Sequence, residues 1–246
     1  MLLSLLILQL PVLLVLSVNI PSYVKLCHKN DPDLGNCILK TSNDIIKHGH
    51  EPIPEMDLPI LDPLQIETIS IDTDGSSIKV HLDLIECVFE NVVNAVTTHV
   101  VPDLENVRFS GQFFFPSLAA KSKYKMEGRI LNFDIQAEGS LKFDSKNVTC
   151  DLEWYGSYYT KNDKKHIQID RIETKTDIKE IKLHFYKLFG DNEALTESVN
   201  AIINENIQDI KKDLDSLIEK TVAETIITYF NRVYKVFPVD ELYLDD

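Results

Sequence analysis

Glycine is scarce in this chain of 246 residues, with 8 in all. That scarcity argues against a glycine-rich nucleotide loop and for long, uninterrupted elements. Basic residues are outnumbered: 25 lysines and arginines face 39 aspartates and glutamates, a formal net charge of −14. Such a field repels phosphate backbones and anionic lipid surfaces, so nucleic acid is not an expected partner. It suits solubility in a body fluid. Beyond the first eighteen residues no apolar run approaches the ~20 residues of a membrane span, so no stable membrane insertion is expected. Signatures of catalysis are missing too. Gly75-Ser76-Ser77 lacks the second glycine of a G-x-S-x-G nucleophile elbow and reads as a hairpin turn. The histidines are scattered, and His48-Gly49-His50 has too few companions for zinc and no H-E-x-x-H partner. The many carboxylates form no pair at an interpretable spacing within an apolar segment. The sequence offers no catalytic residue, no metal site and no cofactor.

Apolar residues make up 44% of the chain, ample for a core and unlike a disordered segment. Met1 to Val18 is almost wholly apolar and sits at the extreme N-terminus. Too short and too proline-interrupted for a comfortable span, it reads as a secretory signal, and residues 1–20 are assigned to it. Secretion gives the four cysteines an oxidising context. Cys27 and Cys37 are close enough to close a short loop and pin the start of the mature chain. Cys87 and Cys150 lie in strand-like segments, either bridged or as two buried thiols, with the second reading favoured. Asn147-Val148-Thr149 is an N-glycosylation sequon, which requires a surface position.

The last fifty residues carry the strongest pattern. From Glu193 to about Val236, Leu195, Val199, Ile202, Ile203, Ile207, Ile210, Leu214, Leu217, Ile218, Val222, Ile226, Phe230 and Val233 recur in steps of mostly three or four. That spacing predicts one apolar stripe on one helix of roughly 60 Å. A stripe so long needs an equally long cover.

The preceding chain supplies it. A short helix is predicted over residues 33–48, with Asp33 as its cap. The proline-rich run from Glu51 to Pro63 reads as an extended, turning connector. Strands follow: a weak alternation over residues 66–71 ending at Asp74-Gly75, then Ile78 to Leu84, then Val107 to Phe115. Pro116 breaks the phase, suggesting a bulge or kink, and Leu118 to Met126 continue on the shifted phase to a turn at Gly128. Leu131 to Phe143 alternates without a break, Val148 to Tyr158 forms another strand, and Ile167 to Phe185 closes the set. Alternation this clean means one wet and one apolar face, hence antiparallel pairing. The predicted fold is α+β: a single elongated domain over residues 21–246, with a strongly curved antiparallel sheet around a long C-terminal helix. No linker or internal repeat divides it.

The order of features resembles the insect juvenile hormone-binding and takeout family over essentially the whole mature chain. The resemblance rests on Cys27 … Cys37, on Leu61-Asp62-Pro63-Leu64, and on Phe115-Pro116-Ser117-Leu118 … Tyr124-Lys125-Met126-Glu127-Gly128-Arg129-Ile130. It continues in Leu188-Phe189-Gly190-Asp191-Asn192, Asn204-Glu205-Asn206 and Val236-Phe237-Pro238-Val239-Asp240. It implies a curved sheet wrapped on a long helix around an internal apolar tunnel. It also implies a secreted carrier of a small hydrophobic ligand such as a terpenoid, a fatty acyl chain or a quinone. The hormone-binding branch has a second disulfide near its C-terminus, and this chain has no cysteine after Cys150, which sets it closer to the takeout branch. On that reading the inward-facing candidates for ligand contact are Phe113, Phe115, Tyr124, Leu131, Phe133, Ile135, Leu141, Phe143, Leu152, Trp154 and Tyr158 of the strands. Ile203, Ile207, Ile210 and Leu214 join them from the helix. Tyr124, Trp154 and Tyr158 would orient a polar end. The acidic surface and the tail Asp240-Glu241 … Asp245-Asp246 make a basic receptor a candidate partner for an otherwise monomeric protein, and a packed interior acting through such a partner is the alternative to a carrier.

Overall fold

The computed structural model describes residues 20–245. The assigned signal segment, Ile20 apart, lies outside them. In chain order the elements are β1 (Cys27–His28), α1 (Leu34–Lys47), β2 (Leu64–Asp74), β3 (Ile78–Glu90), β4 (Val96–Asp103), β5 (Arg108–Ile130), β6 (Phe133–Lys161) and β7 (Lys164–Phe185). Then come α2 (Glu193–Glu205), α3 (Ile207–Val236), α4 (Val239–Leu242) and β8 (Tyr243–Leu244). One antiparallel sheet runs β2-β3-β5-β6-β7, with β4 paired to the first half of β5. It curls into a half-barrel with the C-terminal helices across its open side. A small parallel pair, β1 with β8, joins the chain ends, and the Cys27–Cys37 disulfide ties that pair to α1.

The predicted long helix is two helices. Asn206 separates α2 from α3: its backbone N–H reaches the Ile202 and Ile203 carbonyls, and its side-chain amide also donates to Ile202, at 2.8 Å. An asparagine that bonds back to the preceding turn competes with helix continuation. The apolar spacing survives the break because α3 restarts at the next residue.

The strands are longer than predicted. The two segments read as separate, Leu131 to Phe143 and Val148 to Tyr158, are one 29-residue strand, β6. Leu131 itself is not in it, but sits at φ 53° in the two-residue turn from β5 to β6. The turn assigned to Gly128 is a close approach inside β5: φ is 139°, and a Cβ there would lie 2.3 Å from the Lys79 carbonyl oxygen on the paired strand. Strand β4 has no counterpart among the predicted strands. The proline-rich connector holds a short 3-10 turn, Pro54–Met56, and an Ile53–Leu58 bridge. Asp33 flanks α1 without a side-chain cap, its carboxylate taken by Asn36 at 2.9 Å.

Three long strands change phase together. On β5 the inward set passes from Phe109, Gly111, Phe113 and Phe115 to Leu118, Ala120 and Tyr124, across an exposed Pro116. On β6 it passes from Leu141, Phe143 and Ser145 to Val148 and Cys150, across an exposed Asn147 at φ 51°. On β7 it passes from Thr176 and Ile178 to Ile181 and Leu183, across an exposed Lys179. The registers Phe115↔Val148, Lys146↔Glu180 and Val148↔Ile178 put the three breaks side by side. One strand slipping alone would turn its apolar residues outward; three slipping in register keep the same face inside along the whole length.

Strand β7 is a sheet edge, and the helices cap it. Asn200, Asn204 and Asn231 each accept from a β7 backbone N–H and donate to the same residue's carbonyl, on Phe185, Leu183 and Ile169, at 2.7–2.9 Å. Each side-chain amide does what one peptide of a further strand would do. Glu219 accepts from Thr176 N–H at 3.3 Å, and its carbonyl accepts from the Thr174 hydroxyl at 2.8 Å. Across the half-barrel, Asp213 accepts from Ser77 N–H at 2.6 Å, at the β2–β3 turn. Gly75 lets it in, since a Cβ there would lie 2.4 Å from the Asp213 carboxyl carbon. Helix α3 is thus pinned to both margins of the curled sheet.

Candidate functional site

Two packed cores lie toward opposite ends of the long strands. The first stacks Phe109 on Trp154 and Phe230 on Tyr234, with Trp154 tilted against Phe230, at ring separations of 5.8, 6.2 and 5.5 Å respectively. It includes Val107, Leu152, Ile167 and Ile169. The second gathers Ile78, Val80, Met126, Ile130 and Ile135 around Tyr124, with Val199 and Ile203 from α2. A smaller third cluster, Val24, Ile53, Met56, Leu58 and Phe237, seals the N-terminal segment.

Between the two large cores, where the strands change phase, the interior is not filled. A cavity of about 610 Å³ lies there, walled by β2, β3, β5, β6, β7, α1, α2 and α3. That volume is within the ~300–1,000 Å³ of small-molecule sites. Its sheet wall includes Phe113, Phe115, Leu118, Val148, Ile178 and Ile181, and its helix wall Leu214, Leu217, Ile218 and Val222. These α3 residues are only half-buried, although they face the interior. Leu26, Cys27, Leu242 and Tyr243, in or beside the β1–β8 pair, reach the same cavity.

Of the sequence-derived candidates, Phe113, Phe115, Leu141, Phe143, Ile203, Ile207, Ile210 and Leu214 line this cavity. The other seven belong to the packed ends. Ile135 and Tyr124 are buried in the second core, with Leu131 and Phe133 against it; Leu152 and Trp154 are buried in the first, with Tyr158 against it. The polar ends of the tyrosines are engaged: Tyr124 donates to the Tyr186 carbonyl at 2.9 Å and Tyr158 to that of Leu104. Residues not singled out from sequence complete the wall. They include Ile66, Ile69, Leu84 and Phe89 of β2 and β3, and Ile38 and Ile45 of α1. The alternation of β3 was signal enough for Leu84 and the helical spacing of α1 for Ile38 and Ile45, whereas Phe89 lies beyond the register shift after Ile85, and Ile66 and Ile69 do not share a period of two.

Polar groups in the wall are few. Ser145 donates to the Leu118 carbonyl at 2.9 Å, and Thr225 to that of Thr221 at 2.8 Å. Lys211, with a side chain 12% exposed, is held by Asp215 at 2.5 Å. Cys87 and Cys150 are both free, buried and in the wall. Burial, then the nearby carboxylates of Asp151 and Glu219, pushes the Cys150 thiol up to about 12, and burial raises Cys87 as well. Both stay protonated and unreactive near neutrality. Among the described residues no cluster of three or more metal-ligating side chains occurs, and no helix is long and apolar enough to cross a membrane. The sequon residue Asn147 is exposed.

Residues 3–244 match the family model described as haemolymph juvenile hormone binding protein. The chain is 23% identical over 236 residues to the circadian clock-controlled protein daywake of Drosophila melanogaster, covering 92% of this chain and 89% of that protein. It is 22% identical over 235 residues to daywake of Drosophila yakuba, with the same coverage. Among solved structures, the crystal structure of Epiphyas postvittana Takeout 1 superposes with a TM-score of 0.78 at 19% identity, covering 90% of this chain and all of that one. At that identity the likeness is one of fold: a curled antiparallel sheet on a C-terminal helix.

Proposed function

Because this chain belongs to the haemolymph juvenile hormone binding protein family, whose fold binds hydrophobic ligands, we propose that it is a secreted carrier of one small apolar molecule held between its two cores. The observation that carries this reading is the cavity of about 610 Å³, with its almost wholly apolar wall. A packed-interior protein acting through a partner has no use for such a space, since unfilled core volume forfeits dispersion contacts and lowers stability. A ligand of about fifteen carbons would gain roughly 12 kcal/mol from burial at ~0.8 kcal/mol per methylene, before ordering costs. Micromolar to nanomolar affinity remains after them. Terpenoids, fatty acyl chains and quinones all meet the size and polarity requirement. The disulfide is consistent with an oxidising compartment, and the proposed mature chain begins near residue 21.

The test is native mass spectrometry of the purified secreted protein, followed by organic extraction and identification of what is released. A stoichiometric apolar molecule is expected, and Leu217→Trp, which places an indole in the cavity, is expected to abolish its retention without lowering the melting temperature. An empty protein that also refuses terpenoid, fatty acyl and quinone probes would sink the carrier reading and shift the weight to a protein partner.

A further inference from the structure

One buried hydroxyl beside the cavity has no partner among the described residues. Thr176, on the edge strand β7, is 8% exposed and contributes to the cavity wall. Its hydroxyl oxygen is buried without a hydrogen bond among the described residues, while its backbone N–H is engaged by Glu219. The wall hydroxyls of Ser145 and Thr225 both donate to backbone carbonyls. A buried, unpaired hydroxyl is costly, and valine would fill the same shape without that cost. Thr176 lies opposite Cys150 in the sheet register, two residues from the phase change, and both residues line the cavity. A rotation of about 120° between staggered positions of the Cα–Cβ bond carries the hydroxyl to the place its methyl now holds, so the hydroxyl can turn to whatever fills that space.

We propose that Thr176 sets the ligand preference of the cavity by donating a hydrogen bond to an uncharged oxygen, an ester or ketone carbonyl, on an otherwise apolar ligand. The inference rests on the carrier reading and names the group that would select within it. The charges around Thr176 favour a neutral acceptor over a carboxylate. Glu219 already places an acidic group beside it, Cys150 opposite carries no positive charge, and the deeply set Lys211 is neutralised by Asp215. A ligand carboxylate at this position would be desolvated next to another anion.

The experiment is displacement of a fluorescent apolar probe, N-phenyl-1-naphthylamine, by hexadecane, methyl hexadecanoate and hexadecanoate at mildly alkaline pH. The wild-type protein, Thr176→Val and Thr176→Ser are compared. Wild type and Thr176→Ser should prefer the ester to the alkane by roughly tenfold and bind the ionised acid more weakly than the ester. Thr176→Val should bind alkane and ester alike, with a melting temperature no lower than wild type. An ester preference that survives in Thr176→Val, or a tightest affinity for the acid in all three proteins, would overturn the assignment and leave the carrier reading standing. Failure of the probe and all three competitors to bind wild type would overturn both.

Discussion

Cys150 keeps its proton because the cavity wall around it is apolar, and that makes its ionisation a reporter of folding. Below pH 9.0, the ordinary thiol value, folded and unfolded chains both hold the proton and its contribution to stability is complete. Between there and about 12 the unfolded chain releases a proton that the folded chain retains, so stability falls as pH rises. The loss attributable to this thiol reaches about 4 kcal/mol at the top of the window. Tyr124, raised from 10.0 to about 12 by burial, adds to the same decline. Urea midpoints measured across the alkaline range should drop for the wild type and less steeply for Cys150→Ala; parallel slopes would refute the assignment. Side-chain identity was legible in the sequence to a definite depth. Alternation put Phe143 and Trp154 on the inward face, and both are inward. It did not tell that Phe143 meets empty space while Trp154 meets Phe109 and Phe230. Position along the strand decides that, and it depends on where the two cores end.

At the scale of elements, the clasp of β7 by asparagines explains how an edge strand of 22 residues is kept from pairing with another chain. Asn200 is 3% exposed, and its replacement leaves both the N–H and the carbonyl of Phe185 buried without partners. Asn200→Ala should cost about 2–4 kcal/mol in chemical unfolding, and Asn204→Ala, at a half-buried site, less. A loss below 1 kcal/mol for Asn200→Ala would show that water replaces the clasp. The apolar stripe of the helices was plain in the sequence, but the break at Asn206 was not, because a period of three and four residues passes through it undisturbed. The phase change at Pro116 was readable, since proline cannot donate to a ladder. Its counterparts at Asn147 and Lys179 became meaningful only once pairing set the three side by side. The turn at Leu131 was hidden for a different reason: an apolar residue there continues the alternation of the strand that follows it.

At the scale of the whole molecule, the curled sheet and its covering helix were legible because long alternating segments and a long stripe have few other ways to bury each other. The cavity was not legible, because a filled interior and a hollow one present the same pattern of inward residues. Its existence gives the protein a further property: the hollow is volume that unfolding gives back to the solvent. Where an apolar hollow stays dry, the empty protein occupies more space folded than unfolded, and compression drives it toward the smaller state. Trp154, the single tryptophan, lies in the core next to that hollow and supplies the optical signal. Under hydrostatic pressure the delipidated protein should lose its native tryptophan emission at a lower midpoint than the loaded one. Equal midpoints would mean that water already fills the space. The midpoint then measures occupancy directly, with no need to know the chemical nature of what is inside.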